Sequence, residues 1–95
     1  MSVTVKLPTQ LRDLAGGQAE IEVPEASNVG ELLSKIRADH PGLAERILDD
    51  DGEIRRFVNI YVGDEDVRFL EGLNTGLDRG AVVSILPAVA GGDRS

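Results

Sequence analysis

The chain has 95 residues, enough for one domain with one modest core and too few for two. Hydrophobic residues make up 41%, which excludes a disordered chain, and aromatics only 3%, which leaves the core to aliphatic side chains. Seventeen acidic against ten basic residues give a net charge of -7, a surface that repels nucleic-acid phosphates and steers a basic protein partner towards it, or serves solubility alone.

There is no cysteine, so disulfides, thiolate metal sites and cysteine nucleophiles are excluded together. A single histidine, His40, argues against a histidine metal site or a Ser-His-Asp triad. No apolar stretch approaches the roughly 20 residues of a membrane helix. The N-terminal "MSVTVKLP" lacks a basic-then-apolar signal pattern. A cytoplasmic protein with no membrane partner is the expectation.

Val3, Val5 and Leu7 alternate with polar residues, which predicts a half-buried strand over 3–7 ended by Pro8. "LRDLAGGQ" reads as a turn with Gly16-Gly17 at its tip. Ile21 and Val23 alternate with Glu20 and Glu22 to give a second strand, completing an N-terminal hairpin. Asn28 is placed to cap a helix with Glu31 at its third position, and Val29, Leu32, Leu33 and Ile36 form one apolar stripe. His40-Pro41-Gly42 stops that helix, and a short amphipathic piece from Leu43 to Leu48 follows. "DDDGE" is a turn.

"RFVNIYV" carries large side chains on both faces, Val58, Ile60 and Val62 on one and Phe57, Asn59 and Tyr61 on the other. That pattern suits a central strand covered by a helix on one side and a partner on the other. "GDEDVRF" predicts a turn and a short strand, "LEGLNTGLDRG" a loop with one helical turn, and Ala81 to Leu86 the last strand. The order β-β-α-(α)-β-β-β points to an α+β fold of the β-grasp, ubiquitin-like kind. Its mixed sheet would have four to five strands with one main helix across one face. By analogy with that fold, the first and last strands pair in parallel at the centre.

Most chemical candidates read better as structure. Asp49-Asp50-Asp51-Gly52-Glu53 is too short and consecutive for a calcium loop. Asp64, Glu65 and Asp66 sit on a hairpin tip, where no pocket separates their pKa values; a partner contact is the lesser reading. His40 lies where a helix C-terminus favours a positive imidazole. Gly16-Gly17 lacks a phosphate-binding context.

The end of the chain, "VVSILPAVAGGDRS", is different. Pro87 cannot donate to a sheet ladder, so it closes the last strand and starts the chain outward. Domain 1–86 then gives way to a slim tail over 87–92: Pro87, Ala88, Val89, Ala90, Gly91 and Gly92. Extended, that tail reaches about 20 Å. Gly92 has no side chain, so a carboxylate there could be presented in a narrow channel for activation by another enzyme. The alternative is a frayed terminus of no consequence.

The β-grasp order, "VKLPTQLRDLAGG", "RFVNIYVGDEDVRF" and "VSILPAVAGG" together resemble the ThiS/MoaD sulfur-carrier family, and within it the actinobacterial carriers for cysteine biosynthesis. The likeness spans nearly the whole chain. It implies that the carboxylate of Gly92 is adenylated by an E1-like, ubiquitin-activating-type enzyme using ATP and magnesium, then converted to a thiocarboxylate. A sulfur-accepting, cysteine synthase-like partner takes the sulfur; thiamin, molybdopterin or a secondary metabolite are the other destinations. The carrier is itself no enzyme and holds no cofactor or metal. On the same resemblance, Gly91 slims the tail, Pro87 to Ala90 thread the partner's channel, and Pro8, Tyr61 and Leu86 dock the activating enzyme.

Asp93, Arg94 and Ser95 depart from the family's Gly-Gly ending and lock the reactive carboxyl in a peptide bond. Cleavage between Gly92 and Asp93 by a JAMM-type zinc metalloprotease would release it, unless the three residues are an artificial appendage. The rival readings are a ubiquitin-like modifier conjugated through Gly92 to target lysines, and a plain interaction domain with an accidental Gly-Gly.

Overall fold

The computed structural model describes residues 2–78 and 80–87, of Pro87 the backbone alone. Five strands form one sheet in the order β2-β1-β5-β3-β4, where β1 is Val3–Lys6, β2 Glu20–Val23, β3 Val58–Val62, β4 Glu65–Asp66 and β5 Val82–Pro87. β1 and β5 pair in parallel, Val5 opposite Val83, and the other neighbours are antiparallel. The expected β-grasp arrangement is present, with its first and last strands joined at the centre.

One face of the sheet is covered by helix α2 (Val29–Asp39) and helix α3 (Pro41–Ile47). Val3, Val5, Ile21, Val23, Val58, Ile60, Val83 and Ile85 point to that face and meet Leu32, Leu33, Ile36, Leu43 and Ile47. The core is aliphatic throughout; each large side chain fully buried there contributes about 1.5–3 kcal/mol. Tyr61 stays half-buried and both phenylalanines are exposed. No helix among the described residues is long and apolar enough to cross a membrane.

Several local details differ from the pattern reading. "LRDLAGGQ" is not a plain turn: helix α1 (Thr9–Arg12) runs into a 3₁₀ turn over Asp13–Ala15. Gly16 and Gly17 then leave it with φ of 71° and 86°, a region that side chains disfavour. β3 is not central, because β5 lies inside it and the two-residue β4 outside. Of "DEDVRF" only Glu65–Asp66 is strand; Val67–Phe69 turns into 3₁₀ helix, with the Asp66 carboxylate accepting from Arg68 N–H at 2.8 Å. Pro87 is itself the last residue of β5, opposite Val58. A strand's final position tolerates its missing N–H.

The start of α2 is as the sequence predicts, with one shift. Asn28 Oδ1 accepts from the backbone of Glu31 at 2.8 Å. The Glu31 carboxylate reaches back to Ser27 N–H, one residue beyond the capping box's usual partner. His40 ends α2, donating its N–H to Ile36, and begins α3, its carbonyl accepting from Leu43 and Ala44. In "DDDGE", Asp49 Oδ1 accepts from the N–H groups of Asp51 and Glu53 at 2.9 and 3.0 Å, so the run is a turn organised by its first residue. Among the described residues no acidic or histidine cluster has metal-binding geometry.

Removing the cap in Asn28→Ala should cost about 1 kcal/mol in urea unfolding. The backbone hydrogen bond from Ser27 holds the Glu31 carboxyl below its ordinary value. A depressed carboxyl stabilises the fold above its unfolded pKa and stops doing so as pH falls through its folded value. Glu31→Gln should therefore flatten part of the loss of stability on acidification, read from thermal melts across the carboxylate range.

Candidate functional site

The face of the sheet opposite the helices carries the outward side chains of the last strand, Ser84 and Leu86. Directly paired residues share a face, so the register writes one row across it: Glu20, Lys6, Ser84, Tyr61 and Asp66. A second row places Leu86 beside Asn59. Leu86 is 45% exposed, large for an apolar side chain at mid-sheet. Tyr61 stands diagonal to it, a separation of about 7–8 Å between backbones. A shallow groove of about 470 Å³ joins Leu86 to Pro8 across β1. Its charged lining is Lys6 and Arg12 alone. Thus Pro8, Tyr61 and Leu86, far apart in sequence, lie along the second half of β5, Tyr61 opposite Ser84 and Pro8 across the groove from Leu86. Ala88 to Gly92 and Asp93 lie outside the described residues.

The strand beside β5 is held in an unusual way. β4 pairs only with Tyr61 and Val62, which leaves the outer edge of β3 uncovered at its start. Arg68 fills that gap. Its guanidinium donates to Val58 O at 2.8 Å, Arg55 O at 3.0 Å and Asn59 Oδ1 at 2.7 Å. All three acceptors are neutral, so the charge is spent on backbone and amide rather than on a carboxylate. The side chain stands in for a missing strand and fixes Asn59, the neighbour of Leu86. Sequence reasoning missed this residue. Its only signal was an arginine two places after the hairpin's Asp66, and periodicity cannot say which carbonyls an arginine will reach. Phe57, 68% exposed, immediately precedes β3, and Phe69, 86% exposed, immediately follows Arg68.

The ThiS family signature matches residues 5–92. The chain belongs to the ThiS family. That match stops at Gly92 and leaves Asp93, Arg94 and Ser95 beyond it. The chain is 48% identical over 94 residues to the sulfur carrier protein CysO of Mycobacterium tuberculosis, covering 97% of this chain and 100% of that one. It superposes on a chain of the crystal structure of the Amycolatopsis orientalis BexX/CysO complex with a TM-score of 0.86 at 41% identity, covering 95% of this chain and 99% of that chain. It is also 33% identical over 93 residues to small archaeal modifier protein 3 of Haloferax volcanii, covering 97% of this chain and all of the other.

Truncating the clasp in Arg68→Ala should destabilise the domain by about 2 kcal/mol, since the charged hydrogen bonds to Val58 O, Arg55 O and the Asn59 amide are lost together. Arg68→Lys, lacking the fork that reaches several acceptors at once, should recover only part of that. Urea unfolding of the three proteins checks both expectations.

Proposed function

We propose that this chain is a sulfur carrier whose working atom is the carboxyl carbon of Gly92. The observation that carries the reading is the family match that runs through the last strand and ends on Gly92. The carboxylate attacks the α-phosphorus of ATP in an E1-like enzyme, and pyrophosphate leaves. A sulfide-level donor then displaces AMP at the acyl carbon and leaves a thiocarboxylate. The kinship to CysO favours a cysteine synthase-like enzyme as the acceptor. The domain acts as a protein co-substrate, consistent with the lack of a nucleophile, base or cofactor loop in its sequence.

An amide carbonyl cannot be adenylated as a carboxylate can. With Asp93 attached, Gly92 is therefore silent, and the Gly92–Asp93 bond must first be hydrolysed, a task suited to a JAMM-type metalloprotease. The Tyr61–Leu86–Pro8 surface would hold the activating enzyme while the tail enters it. The exposed Leu86, with the half-buried Tyr61 and Pro8 near it, supports that role. A second reading, conjugation of Gly92 to target lysines, is favoured by the kinship to the archaeal modifier.

Intact mass of the protein from its native host should show loss of Asp93-Arg94-Ser95 and replacement of the terminal oxygen by sulfur. Only full-length protein, in cells holding the protease and activating enzyme, would overturn the carrier reading. Isopeptide-linked adducts of Gly92 without thiocarboxylate would replace it with the modifier. In reconstituted adenylation, Leu86→Ala and Tyr61→Ala should each raise the KM for the carrier about tenfold, as truncation of an interface anchor does. Unchanged values would remove these residues from the docking surface.

A further inference from the structure

The flank of the strand end on the β3 side has a charge at odds with the molecule as a whole. Pro87 lies opposite Val58 and the two strands are antiparallel, so the residues before Val58 lie next to the end of β5. These are Arg55, Arg56 and Phe57. Arg56 is exposed and Phe57 is two-thirds exposed. Arg55 is tied to α3 by its Nε, which donates to Glu45 O at 2.9 Å. Phe57 and Arg55 line two adjoining shallow concavities, of about 420 and 460 Å³. Arg46 and Glu45 line the first, Arg56 and Asp49 the second. A third concavity beside Arg55 adds Arg37 and Asp50, so four arginines face three carboxylates, and one oxygen of Asp49 is engaged by its own turn. The chain overall has seventeen acidic and ten basic residues, so the sign is reversed here. On the opposite flank, Lys6 and Arg12 are the charged groups of the groove beside Leu86.

We propose that Arg46, Arg55, Arg56 and Phe57 form a docking flank for the acidic, apolar channel mouth of the enzyme that takes the tail. This rests on the carrier reading above. From Pro87 to Gly92 the chain can span only about 20 Å, so an enzyme acting at Gly92 has to close on the tail's root. Carboxylates at its rim pair with the arginine forks, and an apolar surface beside them receives Phe57. A uniformly acidic carrier would approach such a rim in no preferred orientation and with repulsion. A positive flank at the root selects the orientation in which the tail points into the channel.

The test is steady-state adenylation of the chain ending at Gly92 by its E1-like enzyme, with the carrier concentration varied. Arg56→Glu should raise KM about tenfold or more and leave kcat unchanged, because charge at an interface rim governs association more than chemistry. Arg56→Lys should stay near wild type. Phe57→Ala should raise KM through lost contact. Added salt should raise the wild-type KM and move the Arg56→Glu value less. Both side chains are exposed, so the variants should keep the wild-type melting temperature. Wild-type KM values for both Arg56→Glu and Phe57→Ala overturn the inference while leaving the carrier reading in place. Failure of the wild-type chain to be adenylated at all removes that reading, and this inference with it.

Discussion

The parallel pairing of β1 with β5 is the constraint from which the rest of the molecule follows. A parallel pair cannot be closed by a tight turn, so everything between Lys6 and Val82 has to be routed around it. β2 uses the outer edge of β1, α2 and α3 cross the apolar face, and β3 returns antiparallel on the other side of β5. The last strand is consequently the middle one. Its inward side chains, Val83 and Ile85, are fully buried, and its backbone pairs with both neighbours as far as Ser84 and with β3 alone from Ile85 to Pro87. The end of the last strand is thus anchored by its buried side chains and by β3.

Centrality at the end of the chain creates a cost at the edge. With β5 inside, β3 has only the two residues of β4 as its outer neighbour. An open strand edge presents unpaired carbonyls and amides that invite pairing with other chains. Arg68 answers this by donating to Val58 O and Arg55 O from the side, where a strand would have donated from its backbone. The 3₁₀ turn that carries Arg68 is itself set by the Asp66 cap. Local turn chemistry at Asp66, edge protection at β3 and the placement of Asn59 beside Leu86 are therefore one linked arrangement.

Elements with a strong period were legible in the sequence. Val3 and Val5, Ile21 and Val23, and the stripe from Val29 to Ile36 each declared their buried face, and Asn28 declared the helix start. "LRDLAGGQ" was not legible, because a one-turn helix buries too little to impose a 3.6-residue pattern; Leu11 and Leu14 only lean on the core. "RFVNIYV" misled about its position. Large residues on both faces suggested the central strand, whereas β5 holds that place and β3 lies one strand out from it, with only the two-residue β4 beyond. The site divides the same way. Pro8, Tyr61 and Leu86 were named from a likeness; the register puts Tyr61 diagonal to Leu86, and one groove joins Leu86 to Pro8. Arg68 was invisible, since its role depends on which carbonyls the missing strand leaves open.

Charge placement adds a functional distinction that composition conceals. Net charge describes the far field, and at -7 it governs solubility and the first approach of partners. Contacts within a Debye length, about 8 Å in physiological salt, respond to local groups instead. At the end of β5 those groups are Lys6 and Arg12 on one flank and Arg46, Arg55 and Arg56, beside Glu45 and Asp49, on the other, with Leu86 and Phe57 exposed near them. The acidic residues of "DEDV" and of β2 lie outward from this region on the edge strands. Charge is therefore unevenly distributed, with acidic residues on the edge strands and arginines outnumbering carboxylates beside the end of β5. An object of that kind meets another charged surface in a preferred orientation. For a protein whose proposed reactive atom lies at the end of a slim tail, orientation on encounter decides whether that atom reaches anything at all.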